Sequence, residues 1–164
     1  MSELMAVAVF TGEISGSVHF IENGILVDIY INLSGFEKKI ADYGFHVHEA
    51  GDLTLKCSSM CAHFNPYGKN HSGPNIRDNN GNLMERHVGD LGNIKTDFNG
   101  NVNYIISDDH IKLRGDANII GRGLVIHKDP DDFGLGGHPD SLKNGHSGDR
   151  IACAVIGYAK QNFE

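Results

Sequence analysis

Residues 15–33 read SGSVHFIENGILVDIYINL, and this stretch decides the fold class. SGSVHF (15–20) and ILVDIYINL (25–33) are rich in residues that suit a pleated strand. Between them IENGIL places Asn23-Gly24, two residues that tolerate positive φ, which predicts a tight hairpin turn. The same alternation of strand-like and turn-like segments runs outward in both directions. AVAVFTG (6–12) precedes the hairpin and residues 41–48 follow it. VGDLGNI (88–94) and NVNYIIS (101–107) flank DFNG, a second Asn-Gly turn, and GRGLVIH (121–127) and RIACAVIGYA (150–159) complete about eight strands. Glycine, at 21 residues, punctuates these segments, and no long 3.6-residue pattern interrupts them. The expected architecture is all-β: an eight-stranded antiparallel Greek-key barrel or sandwich.

The bulk composition limits the function. A chain of 164 residues with 40% hydrophobic content suffices for one well-cored domain, expected to span 1–164. A net charge of −7 argues against nucleic acid or an anionic membrane as partner, although a local positive patch can still attract a small anion. The start, MSELMAVAVF, has neither a basic segment nor a long apolar core, and no window approaches a membrane-spanning run. A cytoplasmic location is therefore the expectation. The three cysteines, Cys57, Cys61 and Cys153, leave at least one thiol unpaired in a monomer.

Two long segments, Glu49 to Arg86 and Lys128 to Asp149, resist a strand reading. Loops of that length in a compact domain are functional or disordered. Both follow a strand that ends in histidine, and both carry His, Asp, Asn and Gly. Of the ten histidines, five fall between His46 and His87 and three between His127 and His146. In GFHVHEAGD (44–52), His46 and His48 share one strand face, with Phe45 and Val47 on the other. His63 lies in CAHFNPYG, His71 in NHSGPN, His87 and Asp90 in ERHVGDLG, and His127 in LVIHKDPDD. An all-imidazole set suits copper or zinc, and three histidines with one aspartate suit tetrahedral zinc.

Taken together, GFHVHEAGD, HFNPYGKNHSGP, RHVGDLGNI, GDANIIGRGLVIH and GDRIACAVIGYA resemble, in order and over nearly the whole chain, the motifs of the Cu,Zn superoxide dismutase family. The resemblance implies an enzyme that disproportionates superoxide to dioxygen and hydrogen peroxide by alternating copper reduction and oxidation. It implies copper ligands at His46, His48, His63 and His127, and zinc ligands at His63, His71, His87 and Asp90, with His63 bridging the two metals. Asp131 matches the carboxylate that links a copper histidine to a zinc histidine. Arg150 matches the arginine that holds superoxide, Lys143 lies in the loop that guides the anion, and Cys57 and Cys153 match the family disulfide. A homodimer is implied too: Ile119, Ile120, Ile156 and Tyr158 fall in segments that match its contact region, with ordinary core as the alternative for each, and a copper chaperone is a further implied partner. The alternative is a non-catalytic copper- and zinc-binding homologue that sequesters metal or such a chaperone. Degenerate relatives of that kind lose a copper ligand or the arginine, and this chain retains all of them.

The chain departs from the family pattern in places. Residues 72–86, fifteen in all, separate His71 from His87, more than in most members, and RDNNGNL (77–83) reads as an inserted surface turn. Cys61 stands where a small glycine-like residue is usual, and is expected as a buried free thiol. Pro139 replaces an acidic residue in the guiding loop, and Asp149 directly precedes Arg150.

Overall fold

A computed structural model describes residues 3–161; Met1, Ser2 and residues 162–164, which the single-domain expectation includes, lie outside the described residues. Among the described residues the strands are β1 (Met5–Thr11), β2 (Ser15–Asn23), β3 (Leu26–Ser34), β4 (Asp42–His48), β5 (Thr54–Cys57), β6 (Asp90–Lys95), β7 (Val102–Asp108), β8 (Gly123–His127) and β9 (Arg150–Tyr158). The hairpin expected from 15–33 forms, with Val18 opposite Ile31 and Phe20 opposite Ile29. Its turn sits one residue later than Asn23-Gly24 suggests. Asn23 remains in β2 opposite Leu26, so Gly24 and Ile25 are the central pair. Gly24 has φ 61°. Glycine at the first central position is what a type II′ turn requires, and that turn matches the twist of the strands.

Eight strands form one sheet in the order β6-β4-β8-β9-β1-β2-β3-β7, antiparallel throughout. The two end strands, β6 and β7, are joined by the Asp97–Asn101 turn, in which the Asp97 and Gly100 amides donate to Asn101 and Asp97 carbonyls. The sheet thus curls into a nearly closed barrel, and the β3→β4 and β7→β8 crossovers give it Greek-key connectivity. Phe20, Ile29, Ile31, Phe45, Leu124 and Ile126 fill the interior. Each such side chain contributes roughly 1.5–3 kcal/mol through removal from water.

The strand expectations hold closely, but the long loops contain more regular structure than their sequences suggest. The first holds β5 and a 3₁₀ turn, Ser58–Met60, and the second holds a one-turn helix, α1 (Ser141–Asn144). The disulfide Cys57–Cys153 fastens the first loop to β9 across 96 residues. The RDNNGNL excursion is a self-contained surface hairpin. Arg77 bridges Leu83, Arg77 Nη1 donates to the Gly81 carbonyl, and Asp78 Oδ1 accepts from the Asn80 and Asn82 amides. Of the residues expected near a dimer contact, Ile119 and Ile156 are fully buried in the barrel core, so neither side chain is available to a partner. Apolar character alone could not separate core from contact. Tyr158, by contrast, is 67% exposed.

Candidate metal centre

β4 lies between β6 and β8, and these three neighbours bring most of the chemistry together. Phe45 and Val47 point into the core, as period-two alternation requires, while His46 and His48 occupy the opposite face. That opposite face is not wet. His46 and His48 are as buried as their apolar neighbours because the two long loops fold over them. β8 contributes His127, β6 contributes Asp90 and β9 contributes Arg150; His63, His71 and His87 come from the first loop. Register irregularities fall at Gly44/His46 and at Ile126/His127. A bulge re-aims a side chain at such a point.

Two groups of donors result, His46, His48, His63 and His127 in one, His63, His71, His87 and Asp90 in the other, all buried and sharing His63. The protonation of each ring is fixed by its partner. His48 donates from Nδ1 to the Cys61 carbonyl at 2.9 Å, and His127 from Nδ1 to the Gly148 carbonyl at 3.1 Å. Their Nε2 atoms therefore carry lone pairs, yet they face each other at 3.3 Å. His46 donates from Nε2 to Asp131 Oδ2 at 2.6 Å, leaving its Nδ1 buried without a partner. His63 Nε2 is likewise buried and unpartnered. Four lone pairs converging in a dry pocket call for a cation.

The second group has the same character. Asp90 Oδ2 accepts from the Ser72 and His87 amides, at 3.1 and 2.9 Å, which frees Oδ1 for the pocket. Oδ1 lies 2.9 Å from His63 Nδ1, 2.9 Å from His71 Nδ1 and 3.2 Å from His87 Nδ1. His71 donates from Nε2 to Asp131 Oδ1 at 2.7 Å, and its Nδ1 makes no hydrogen bond despite the nearby carboxylate. Zinc–nitrogen bonds near 2.0–2.1 Å in a tetrahedron separate the ligands by about 3.3 Å, close to these spacings. The donors thus fit copper or zinc in the first group and zinc in the second.

Asp131 joins the groups, one oxygen on His46 and the other on His71. It is itself held by Asn93, whose side-chain oxygen accepts from the Asp131 amide at 2.7 Å and whose nitrogen donates to the Asp131 carbonyl at 3.1 Å. Gly145 packs against this link, and a Cβ there would lie 2.1 Å from Asp131 Oδ1. Neither Asn93 nor Gly145 was among the expected site residues. Asn93 does fall inside the RHVGDLGNI motif, and that was the only sequence signal for it.

Electrostatics keep the first group neutral. Burial, then repulsion from neighbouring histidines, holds His46 well below the usual imidazole range. Burial brings His48 down to about 2 and His127 to about 4. His71 is the exception: burial opposes its charge, but the hydrogen bond to Asp131 and the adjacent Asp90 carboxylate outweigh burial and raise it to about 9. Asp90 stays ionised well below the usual carboxylate range, since three histidines overcome the cost of burial.

Arg150 sits beside this centre. Its Nη1 donates to the Cys57 carbonyl at 2.8 Å and its Nη2 to the Cys61 carbonyl at 2.5 Å. A cavity of roughly 200 Å³ is lined by His48, His63, His127, Lys143, Asn144 and Arg150. Cys61 is the free cysteine, exposed rather than buried as expected, because the chain reverses there at φ 65° and turns the side chain outward. Asp149 is exposed. The structure brings His46, His48, His63, His71, His87, Asp90, His127 and Asp131 together, with Lys143 and Arg150 on the adjoining cavity wall.

An antiparallel barrel carrying two fused, imidazole-rich donor sets defines a metalloprotein with two adjacent metal positions. The family model for copper/zinc superoxide dismutase (SODC) matches residues 14–156. A protein of Paramecium bursaria Chlorella virus 1 named superoxide dismutase (Cu-Zn) is 54% identical over 158 residues, 96% of this chain and 80% of that protein. A protein of Drosophila melanogaster named extracellular superoxide dismutase (Cu-Zn) is 44% identical over 147 residues, 88% and 76% of the two chains. The solved structure of the clock protein EA4 aligns with TM-score 0.87 and 41% identity, covering 97% of each chain. The chain belongs to the copper/zinc superoxide dismutase family.

Proposed function

We propose that this chain disproportionates superoxide, with copper held by His46, His48, His63 and His127 and zinc by His63, His71, His87 and Asp90. One observation carries the assignment: the two ring nitrogens of His63 point into different donor sets, Nε2 toward the first and Nδ1 toward Asp90 in the second. Copper, when bound, supplies the one-electron redox change that takes an electron from one superoxide and gives it to the next, while zinc contributes fixed charge. The protein's residues supply the rest. Arg150 stays charged at any working pH and presents a forked donor set to a small anion at the cavity wall. Two carbonyls hold the guanidinium in place, so little ordering is needed when the anion arrives. His63 Nε2 would carry a proton only when it is not a copper ligand, and in that state it would be the group that passes a proton to the departing peroxide. Lys143, also on the cavity wall, draws the anion inward against the overall charge of −7. Asp131 fixes the orientation of His46 and His71.

The finer assignments complete the proposal. The chain acts as one domain over 1–164, in the cytoplasm, as a homodimer that uses exposed Tyr158 and loaded by a copper chaperone. Sedimentation checks the dimer and fractionation the compartment, where the Drosophila relative's extracellular name provides the contrast. The test of function is superoxide consumption by metal-loaded protein beside His127→Ala. Wild type is expected to be active and the variant to lose copper and nearly all activity. Undiminished activity in the variant would overturn the copper assignment.

A further inference from the structure

β1, β2, β3 and β7 are consecutive in the sheet and carry no residue of the metal centre. Their inward side chains, such as Val18, Phe20, Ile29 and Ile31, fill the core. Period-two alternation sends the residues between them outward. Strand register arranges these in two rows: Val9, Ser17, Asn32 and Asn103 in one, and Val7, His19, Tyr30 and Ile105 in the next. The chain has 14 basic and 21 acidic residues, yet neither row contains one. Asp28, in the row beyond, is already bonded to Asn23 Nδ2 at 2.9 Å and Ser107 Oγ at 2.6 Å. Ser17, His19, Tyr30, Asn32, Asn103 and Ile105 line an open groove of roughly 510 Å³. Tyr30, at its centre, is 40% exposed. Among the described residues, the side chains of Ser17, His19, Tyr30, Asn32 and Asn103 make no hydrogen bond or ion pair with the protein.

We propose that this sheet face binds a neutral saccharide, with the Tyr30 ring as its platform and Ser17, His19, Asn32 and Asn103 as its hydrogen-bonding partners. The chemistry of the groove selects that class. Two carboxamides and two hydroxyls each present both donors and acceptors, and a sugar hydroxyl needs both. The apolar C–H face of a pyranose packs on an aromatic ring, as other apolar groups do. Strands lie about 4.8 Å apart, so side chains facing each other across β2, β3 and β7 reach hydroxyls on opposite sides of one sugar ring. An anionic or cationic ligand would lose hydration here without meeting a counter-charge. A wholly apolar ligand would cover the amides and hydroxyls and leave them unpaired. Neutral, polyhydroxylated and flat is the combination that satisfies every group in both rows.

The site is separate from the metal centre, and its test does not depend on turnover. Amide resonances of the metal-loaded protein, with copper reduced so that the sample is diamagnetic, are followed during titration with cellotetraose. Saturable shifts in the millimolar range, confined to β2, β3 and β7, are the expected result. Tyr30→Ala and Asn103→Ala should each weaken binding by about fivefold, while superoxide consumption and melting temperature stay close to wild type. A sulfated disaccharide, titrated in parallel, should bind more weakly than the neutral sugar. Absence of saturable shifts, shifts scattered over the whole surface, or undiminished affinity in both variants would overturn the proposal. Stronger binding of the sulfated sugar would overturn it as well. So would shifts of the same amides with protein concentration in the absence of sugar, because a second copy of the chain would then be the occupant.

Discussion

At the residue scale, Asp131 shows most clearly why a metal centre cannot be reduced to its donors. It touches neither donor set's pocket directly, yet its two oxygens fix the tautomers of His46 and His71. Removing one charge-assisted acceptor frees both rings at once. Asp131→Asn keeps the shape but replaces an accepting oxygen by an NH₂ donor, which cannot serve both imidazole N–H groups. Zinc affinity is expected to fall about 10- to 100-fold, the range typical for such supporting groups. Competition with a chromophoric chelator measures it, and unchanged affinity would show that the link is dispensable. Arg150 is a second case. Its loss removes a charge-assisted contact worth about 1.5–3 kcal/mol, so Arg150→Gln should lower kcat/KM for superoxide by roughly tenfold or more while metal content is retained. Stopped-flow kinetics with elemental analysis separate the two effects.

At the scale of elements, the first long loop is a structural component of the site. It supplies three histidines, the 3₁₀ turn, and the Cys57 and Cys61 carbonyls that hold Arg150 and His48. The disulfide ties this loop to β9, the strand that carries Arg150 itself. Cross-linking across nearly 100 residues stabilises by about 4.7 kcal/mol in the chain-entropy account. Cys153→Ser is therefore expected to lower the melting temperature and, because the Cys57 carbonyl is released, to weaken catalysis more than metal binding. Calorimetry and activity on the same metal-loaded sample check this, and an unchanged melting temperature would contradict it. The RDNNGNL hairpin stands apart from this machinery, since its polar contacts close within residues 77–83. Its position was legible because Asn, Asp and Gly cluster there; its detachment from the site was not, because contact partners are not written in a loop's composition.

At the scale of the whole molecule, burial of so many imidazoles makes stability depend on pH. In the metal-free chain His48 and His127 are held to about 2 and about 4, whereas an unfolded imidazole titrates near the ordinary value of 6.5. Between those limits the unfolded chain binds more protons, so stability falls as pH drops below about 6.5. His71 acts in the opposite sense. Raised to about 9, it contributes fully below 6.5 and that contribution is lost as pH rises through 9. Thermal unfolding of the metal-free protein should thus show greatest stability in a window around pH 6.5, with losses toward acid from His48 and His127 and losses toward pH 9 from His71. Protons compete for the same nitrogens as metal, so release of metal should begin on the acid side of that window. A melting temperature that is flat from pH 4 to 7 would contradict the burial of neutral His48 and His127.

The sequence by itself determined the strands of the barrel, the approximate position of their turns and the candidate donors. Alternation, Asn-Gly turns and histidine-bearing motifs are local, and local sterics and hydrogen bonding translate them directly into strands such as β2 and β3. Only the tertiary structure decided which faces are dry. The opposite sides of β4 look like core and surface in sequence, but the loops cover His46 and His48 until both are as buried as Phe45 and Val47. It likewise decided that Ile119 and Ile156 belong to the core, that Cys61 faces outward, and that Asn93 and Gly145 support Asp131. Each of these depends on which distant segments pack together. Burial and unpartnered lone pairs are properties of that packing, and they are what make a set of histidines a metal centre.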